Sequence, residues 1–204
     1  MIAGFEDGYY NGHRPNGIYI PRFQNLKDKE EDYFRGFAYQ GGASRVGWQL
    51  GNYIEGIGAE FKDKIRKPGP WSISLGGYGE CLPYYDNKVE LHPEIKDEWG
   101  MPILHISGEL KENEKKIMKA MKAHGAEILE KAGGIDIQHS EPEDWIFGDG
   151  IHEMGTARMG NDPKTSVLNR WNQVHGAENV FVTDGACMTS ASCVNPSLTY
   201  MALT

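Results

Sequence analysis

The sequence contains no long hydrophobic run and little cysteine. A membrane-spanning helix needs about 20 consecutive apolar residues, and no window of the 204 residues comes near that length. The 3 cysteines are odd in number and no two have CxxC spacing, which argues against a disulfide framework or a zinc site made of cysteines alone. We therefore expect Cys81, Cys187 and Cys193 to be small, reduced and buried side chains.

Positive charge is also scarce. The chain has 21 Lys and Arg against 29 Asp and Glu, which gives a net charge of −8. Proteins that bind nucleic acid neutralise phosphates with clustered basic side chains, so this balance argues against a nucleic-acid partner. The one dense group of lysines, between residues 115 and 122, falls on a predicted helix and is typical of a solvated helix face.

Glycine is abundant, with 26 residues, and it separates short stretches of alternating polar and apolar residues. This alternation predicts half-buried strands, which we place in residues 17–26, 33–45, 69–84, 87–93 and 102–110. Pro21 is expected to hold the first strand at a sheet edge. Gly41 and Gly42 are expected to end the second strand in a turn.

One long helix is predicted from Asn113, a candidate N-cap, to Gly133 and Gly134, which stop it. Its apolar residues recur at helical spacing and are Ile117, Met121, Ile128 and Ala132. Together with the strands, this helix predicts an α+β fold in which an antiparallel sheet carries helices on one side.

From residue 148 onwards charge thins out, and His152 is the first candidate functional residue. Glycines on both sides of His152 would let a ligand approach closely. Histidine has an ordinary pKa of about 6.5, which suits acid–base chemistry near neutral pH. The alternative is a histidine that only bonds a backbone carbonyl.

Two further features lie near the end of the chain. An apolar run leads into Asp184, Gly185 and Ala186, which could hold a ligand through backbone N–H groups or form an ordinary turn. Asn195 and Pro196 are predicted to open a helix as cap and first helical residue. The N–H groups at such a helix start suit an anion or a carbonyl that gains charge, and the alternative is a plain N-cap.

Neither a metal site nor a nucleophilic hydrolase is favoured. The available metal ligands lack HxxxH or other typical spacing, and they are His152, His175, Asp149 and Asp162. The chain has no GxSxG motif, and neither Cys187 nor Cys193 has a histidine at an obvious fixed spacing. A hydrolase that uses His152 with an acidic partner remains an alternative.

Three segments resemble, in order and spacing, the C-terminal signature of the glucose–methanol–choline (GMC) flavoprotein oxidoreductases. They are HEMGTARMG at 152–160, NVFVTDGACM at 179–188 and NPSLTYMAL at 195–203. Residues 1–147 are similar, more loosely, to the substrate domain of bacterial sugar and polyol dehydrogenases of that family. The resemblance implies a substrate-binding domain at 1–147 and a C-terminal catalytic and FAD-contacting segment at 148–204.

The resemblance also implies a role for individual residues. His152 matches the active-site histidine that accepts the proton of the substrate hydroxyl over the flavin ring. Asn195 matches the second active-site position, which is His in some members; an amide can bond the hydroxyl but cannot take its proton. The positions that match FAD contacts are Asp184, Gly185, Ala186, Asn195, Pro196 and Thr199.

The chain departs from the family in lacking G-x-G-x-x-G, the glycine fingerprint of a dinucleotide-binding unit. We therefore expect FAD in the full-length protein, held with an N-terminal FAD-binding region, and weak or no retention of FAD by this chain alone. The end at Thr204, two or three turns into a helix, predicts a cut from a longer protein.

We predict that the chain is the C-terminal portion of an FAD-dependent oxidoreductase that acts on CH–OH groups of a sugar, polyol or other alcohol, with base-assisted hydride transfer to the flavin. The alternative is a non-catalytic carbohydrate-binding or assembly domain of the same fold. No motif identifies the electron acceptor.

Overall fold

Within the residues that the structure describes, short antiparallel sheets combine with three helices. The structure, a computed structural model, describes residues 17–27, 29, 31–45, 51–52, 54–66, 71–140, 147–148 and 150–204. Its strands are β1 (Ile18–Ile20), β2 (Phe37–Arg45), β3 (Trp71–Gly79), β4 (Lys88–Lys96), β5 (Pro102–Ser107), β6 (Gln173–Val174) and β7 (Ala177–Phe181). Its helices are α1 (Gly58–Arg66), α2 (Glu112–Lys131) and α3 (Ser197–Leu203). These elements confirm the mixed α+β class.

The largest sheet has the order β1–β2–β3 and is antiparallel throughout. β1 lies at its edge and ends before Pro21, which cannot donate to a ladder, as predicted. The predicted turn at Gly41 and Gly42 is wrong, because β2 continues to Arg45 and pairs with β3 along its whole length. Gly41 is needed for this pairing, since a β-carbon there would overlap the carbonyl oxygen of Ser74.

The other strands form separate pairs, so the single sheet expected from the sequence is not what forms. β4 pairs with β5, and β6 pairs with β7, each antiparallel. β4 continues past Pro93, and the ladder changes register between Leu91 and Lys96 because proline has no N–H to donate. Reciprocal hydrogen bonds of 3.1 Å between Asn87 and Glu109 close the base of the β4–β5 hairpin.

The hydrophobic core lies between α2 and the strands β2 and β3. Its buried side chains are Tyr33, Phe37, Tyr39 and Ile117. Met121 and Ile128 of α2 pack against this cluster, which confirms the predicted apolar stripe at Ile117, Met121 and Ile128, whereas Ala132 is the exposed C-cap. The ring of Phe37 meets that of Tyr39 edge to face, with centroids 5.6 Å apart.

The predicted cap of α2 is wrong. Lys111 occupies the N-cap position, and the buried carboxylate of Glu114 accepts its N–H at 3.1 Å. Asn113 lies inside the helix, where its Oδ1 accepts the N–H of Phe34 at 2.7 Å and so joins α2 to the segment that enters β2. α2 ends before Gly133, which has φ +84°, in agreement with the predicted stop.

The three cysteines are free thiols. Cys187 and Cys193 are buried, as predicted, whereas Cys81 is exposed. Cys81 lies two residues after the end of β3. Over the described part of the chain, no helix has the length and apolar character required to cross a bilayer.

Candidate functional site

Asp184 shapes the turn that follows β7. Its Oδ1 accepts the N–H of Ala186 at 2.9 Å, and a 3-10 turn occupies Gly185–Cys187. The N–H of Cys187 closes this turn on the carbonyl of Asp184 at 3.2 Å. Because the Ala186 N–H is already bonded, a ligand at this turn must use other groups, such as the second carboxylate oxygen of the exposed Asp184.

The segment after His152 runs beside this turn and is joined to it by the main chain. Three N–H groups donate to three successive carbonyls, namely Gly155 to Gly185 (3.3 Å), Ala157 to Ala186 (2.9 Å) and Met159 to Cys187 (3.0 Å). The backbone therefore fixes the first two signature segments relative to each other, and the side chains are not needed for that purpose.

α3 joins the same arrangement through Tyr200. The hydroxyl of Tyr200 lies 3.4 Å from Sδ of Met154, which follows His152 by two residues. A β-carbon at Gly185 would lie 2.9 Å from that hydroxyl and 3.0 Å from the same sulfur. Glycine at 185 thus permits a close approach, and the three segments of the signature meet around it.

The start of α3 differs from the prediction by one residue. The helix begins at Ser197, and Pro196 holds the N-cap position with φ −89° and ψ −4°. The Pro196 carbonyl accepts the N–H of Thr199 at 2.9 Å, which leaves the N–H groups of Ser197 and Leu198 without an acceptor inside the helix. Asn195 is therefore not the cap, and it is exposed.

His152 is half-buried and follows a residue with an unusual backbone. Ile151 has φ +52°, in the left-handed region that a β-branched residue rarely adopts. Gly148 and Gly155 also have positive φ, at +89° and +85°. Left-handed backbone at a residue such as Ile151 persists only where the surroundings impose it, and it occurs often at functional sites.

The neighbouring thiol is not set up as a nucleophile. Burial, with a smaller contribution from the charge of Asp184, raises the pKa of Cys187. The thiol is therefore protonated near neutral pH and weakly reactive.

The described residues contain no group of three or more His, Cys, Asp or Glu side chains arranged to hold a metal ion. Two of the ligands considered from the sequence have other partners: His175 Nε2 lies 3.0 Å from the Ser166 hydroxyl, and Asp162 accepts the N–H of Lys164 at 2.9 Å. Asp149 lies outside the described residues.

Sequence reasoning missed the residues that hold the loop before Asn195. Ser190 Oγ donates to Glu80 Oε1 at 2.7 Å, and Cys193 Sγ donates to the carbonyl of Gly36 at 3.3 Å. Both contacts join positions that are more than 100 residues apart in the chain. No local pattern of residues could have indicated them.

Comparison with known proteins identifies the family of the chain. Residues 83–204 match the C-terminal family model described as GMC oxidoreductase. The chain therefore belongs to the GMC oxidoreductase family, and the resemblance inferred from its sequence motifs is confirmed.

The chain is also similar in sequence to individual proteins. The chain is 37% identical over 134 residues to 2-methyl-1,2-propanediol dehydrogenase of Mycolicibacterium austroafricanum. This matched stretch covers 62% of this chain and 22% of that protein. It is 27% identical over 147 residues to the fructose dehydrogenase large subunit of Gluconobacter japonicus, a match that covers 72% of this chain and 26% of that protein. It is 37% identical over 121 residues to paromamine 6'-oxidase of Streptomyces fradiae, a match that covers 59% of this chain and 22% of that protein. The matches thus span about a quarter or less of each relative's length.

Proposed function

We propose that this chain supplies the substrate-binding part and the catalytic residues of an FAD-dependent oxidoreductase that acts on CH–OH groups of a sugar, polyol or other alcohol. The observation that carries the proposal is the meeting of the three signature segments around Gly185, with His152 on one and Asn195 on another. In this proposal residues 1–147 form the substrate-binding domain and residues 148–204 contact the flavin.

The polar groups of this site fit one side of a flavin. The carboxylate of Asp184 and the amide of Asn195 are exposed, and the first N–H groups of α3 lack acceptors inside the helix. The proposed FAD contacts lie at Asp184, Gly185, Ala186, Asn195, Pro196 and Thr199, where these free polar groups would hold the ribityl chain and the polar edge of the ring. The chain has no G-x-G-x-x-G loop for the nucleotide half, so we expect FAD binding to need the FAD-binding region of a longer protein.

The side chains then divide the chemistry between them. FAD, when bound, supplies the hydride acceptor. A ring nitrogen of His152 accepts the proton of the substrate hydroxyl, which makes the carbon a better hydride donor. The Asn195 amide donates a hydrogen bond to the same oxygen and orients it, but it cannot take the proton. His152 is therefore the general base.

β7 supports a role within a larger protein. Val180 and Phe181 are apolar neighbours in this strand, where the pairing with β6 is irregular, and they are 43% and 57% exposed. Adjacent exposed apolar side chains are typical of a surface that another part of a protein covers. We propose that the FAD-binding region provides this cover.

The names of the relatives support the substrate class. One is named for a propanediol, one for fructose and one for paromamine. We extend from these names to this chain only the shared chemistry, which is oxidation of a small, hydroxyl-bearing molecule.

The experiment is a turnover assay on the full-length protein that carries this segment, purified with added FAD. Sugars and polyols are supplied together with an artificial electron-accepting dye, and flavin content, dye reduction and products are measured. We expect bound flavin at unit stoichiometry, dye reduction only with substrate present, and a ketone or aldehyde product.

Other outcomes would contradict the proposal. Carbohydrate binding without turnover would favour the non-catalytic domain. Product formation without any electron acceptor would favour the hydrolase. As a further test, this chain alone should not retain flavin at unit stoichiometry, and a yellow purified chain would disprove that expectation.

A further inference from the structure

The loop between the 3-10 turn and α3 is fastened at two points to the end of the β2–β3 sheet. Ser190 Oγ donates to Glu80 Oε1 at 2.7 Å, and Cys193 Sγ donates to the carbonyl of Gly36 at 3.3 Å. That same carbonyl accepts the N–H of Glu80 at 3.2 Å. Gly36 and Glu80, which are bonded to each other, therefore receive both contacts of the loop that leads to Asn195.

Glu80 is well suited to hold the loop because its carboxylate is buried. The residue is 5% exposed, and the Arg35 guanidinium lies 3.7 Å from the oxygen that accepts from Ser190. A hydroxyl that donates to an ionised carboxylate makes a short and strong hydrogen bond. Removal of Ser190 would leave that oxygen buried with one donor fewer, which is unfavourable.

The second contact involves a neutral thiol. Burial, followed by the negative charge of Glu80, raises the pKa of Cys193 to about 11. The thiol therefore keeps its proton at neutral pH and donates a hydrogen bond to the carbonyl oxygen of Gly36. Because a thiol is a weak donor, this contact adds packing, and Ser190 provides the stronger bond.

The surface that receives the loop is itself held firmly. The side-chain amide of Asn25 donates to the carbonyls of Tyr33 and Arg35, both at 2.9 Å. The N–H of Phe34 is bonded to Asn113 at 2.7 Å. Arg35 adopts φ +70°, a left-handed conformation that the surrounding bonds maintain.

We propose that Glu80 is a positioning residue that sets the place of Asn195 and Pro196 by holding Ser190. Ser190 precedes Asn195 by five residues, and Cys193 precedes it by two, so little free chain lies between the attachment and the two site residues. This inference rests on the proposed function, since it assigns a task in the same site.

The test uses two variants in the flavin-loaded full-length protein: Glu80→Leu, which has no acceptor oxygen, and Ser190→Ala, which has no hydroxyl. Thr189→Ala is the matched control, because Thr189 is adjacent and exposed. We expect each test variant to lower kcat about tenfold or more while KM changes less than about threefold, since a small misplacement of an orienting group is costly. The double variant should be no slower than the worse single variant, because both remove one contact.

Hydrogen exchange supplies a readout that does not depend on turnover. Both variants should speed exchange in residues 188–204 and leave α2 unchanged, whereas the control should leave both unchanged. If Glu80→Leu fails to fold, Ser190→Ala, which leaves the buried carboxylate in place, decides the question.

Two results would overturn the inference. The first is that both test variants have the same kcat and the same rate of hydrogen exchange in residues 188–204 as Thr189→Ala. The second is that the test variants exchange faster but keep the wild-type kcat, which would make the contact structural only. If the wild-type protein binds no flavin, the proposed function fails, and the exchange measurement alone decides whether Glu80 positions the loop.

Discussion

The described residues between 17 and 140 and residues 150–204 are held together by different means. In the first region, aromatic rings pack between α2 and the β2–β3 sheet, and the core residues Phe37, Tyr39 and Ile117 are at most 2% exposed. In the second region, few side chains are buried, and successive backbone hydrogen bonds join segment to segment. The first region gains stability from apolar burial, which is proportional to the area removed from water.

This difference teaches how a site can be shaped mostly by main-chain hydrogen bonds, with one carboxylate oxygen of Asp184 also holding the turn. Main-chain bonds fix the positions of residues 155–159 beside the turn at 185–187. The side chains of Asp184 and Asn195 stay exposed and His152 half-buried, so they remain available to a ligand. The consequence is a region with little core of its own, which should depend on its neighbours for rigidity.

The largest effect is expected from Phe37→Ala. Phe37 is fully buried and lies 5.6 Å from Tyr39 and 5.7 Å from His124, measured between ring centroids. Its truncation should lower the free energy of unfolding by about 4 kcal/mol, as measured by chemical denaturation. Phe34→Ala is the control, since Phe34 is 57% exposed, and it should cost under about 1 kcal/mol. Equal losses would show that the aromatic cluster is not the core.

Leu168→Ala tests the one large aliphatic anchor of the second region. Leu168 is 0% exposed, so its truncation should cost about 3 kcal/mol. We expect faster hydrogen exchange in residues 150–204 and little change in α2, whereas Val167→Ala, at a position 43% exposed, should leave both regions unchanged. Equal acceleration of exchange in α2 would contradict the separation of the two regions.

Gly185→Ala tests the meeting point of the signature segments. Its β-carbon would press on Tyr200 and Met154, so we expect a loss of about 2 kcal/mol from overpacking. Gly176→Ala is the matched control, because nothing lies within 4 Å of the added carbon. The melting temperatures of the two variants are compared. Equal values would contradict the claim that the signature segments pack closely around Gly185.

The smallest effect is expected at Asp184. Loss of its bond to the Ala186 N–H in Asp184→Ala should cost about 1 kcal/mol, whereas Asp184→Asn retains an acceptor and should cost less. Thermal unfolding of the two variants measures the difference. Equal losses in Asp184→Asn and Asp184→Ala would show that charge, and not the capping bond, fixes the turn.

Local patterns predicted much of the first region. The strands, the apolar stripe of α2 and the stop at Gly133 depend on periodicity and glycine, which act over a few residues. α1 was missed because its sequence offers only a short apolar pattern. Gly41 misled the prediction, because the glycine serves close strand packing and not a turn.

The site was less predictable from physical patterns alone. The motif resemblance identified the family, but the meeting of Tyr200 with Met154 and the Glu80–Ser190 bond join residues far apart in sequence. Asn113 and Asn195 were predicted as caps from their residue type. In the structure Asn113 accepts the N–H of Phe34, and Pro196 takes the cap position next to Asn195. Such choices depend on tertiary neighbours that a single sequence does not reveal.

The most direct test of the account is the rate of flavin reduction by substrate in a single turnover of the full-length protein, compared between wild type, His152→Ala and His152→Gln. We predict that both variants bind flavin as wild type does and reduce it about 100-fold more slowly or worse, because they lack the proposed general base. Reduction at the wild-type rate in either variant would contradict the role of His152 and, with it, the proposed site.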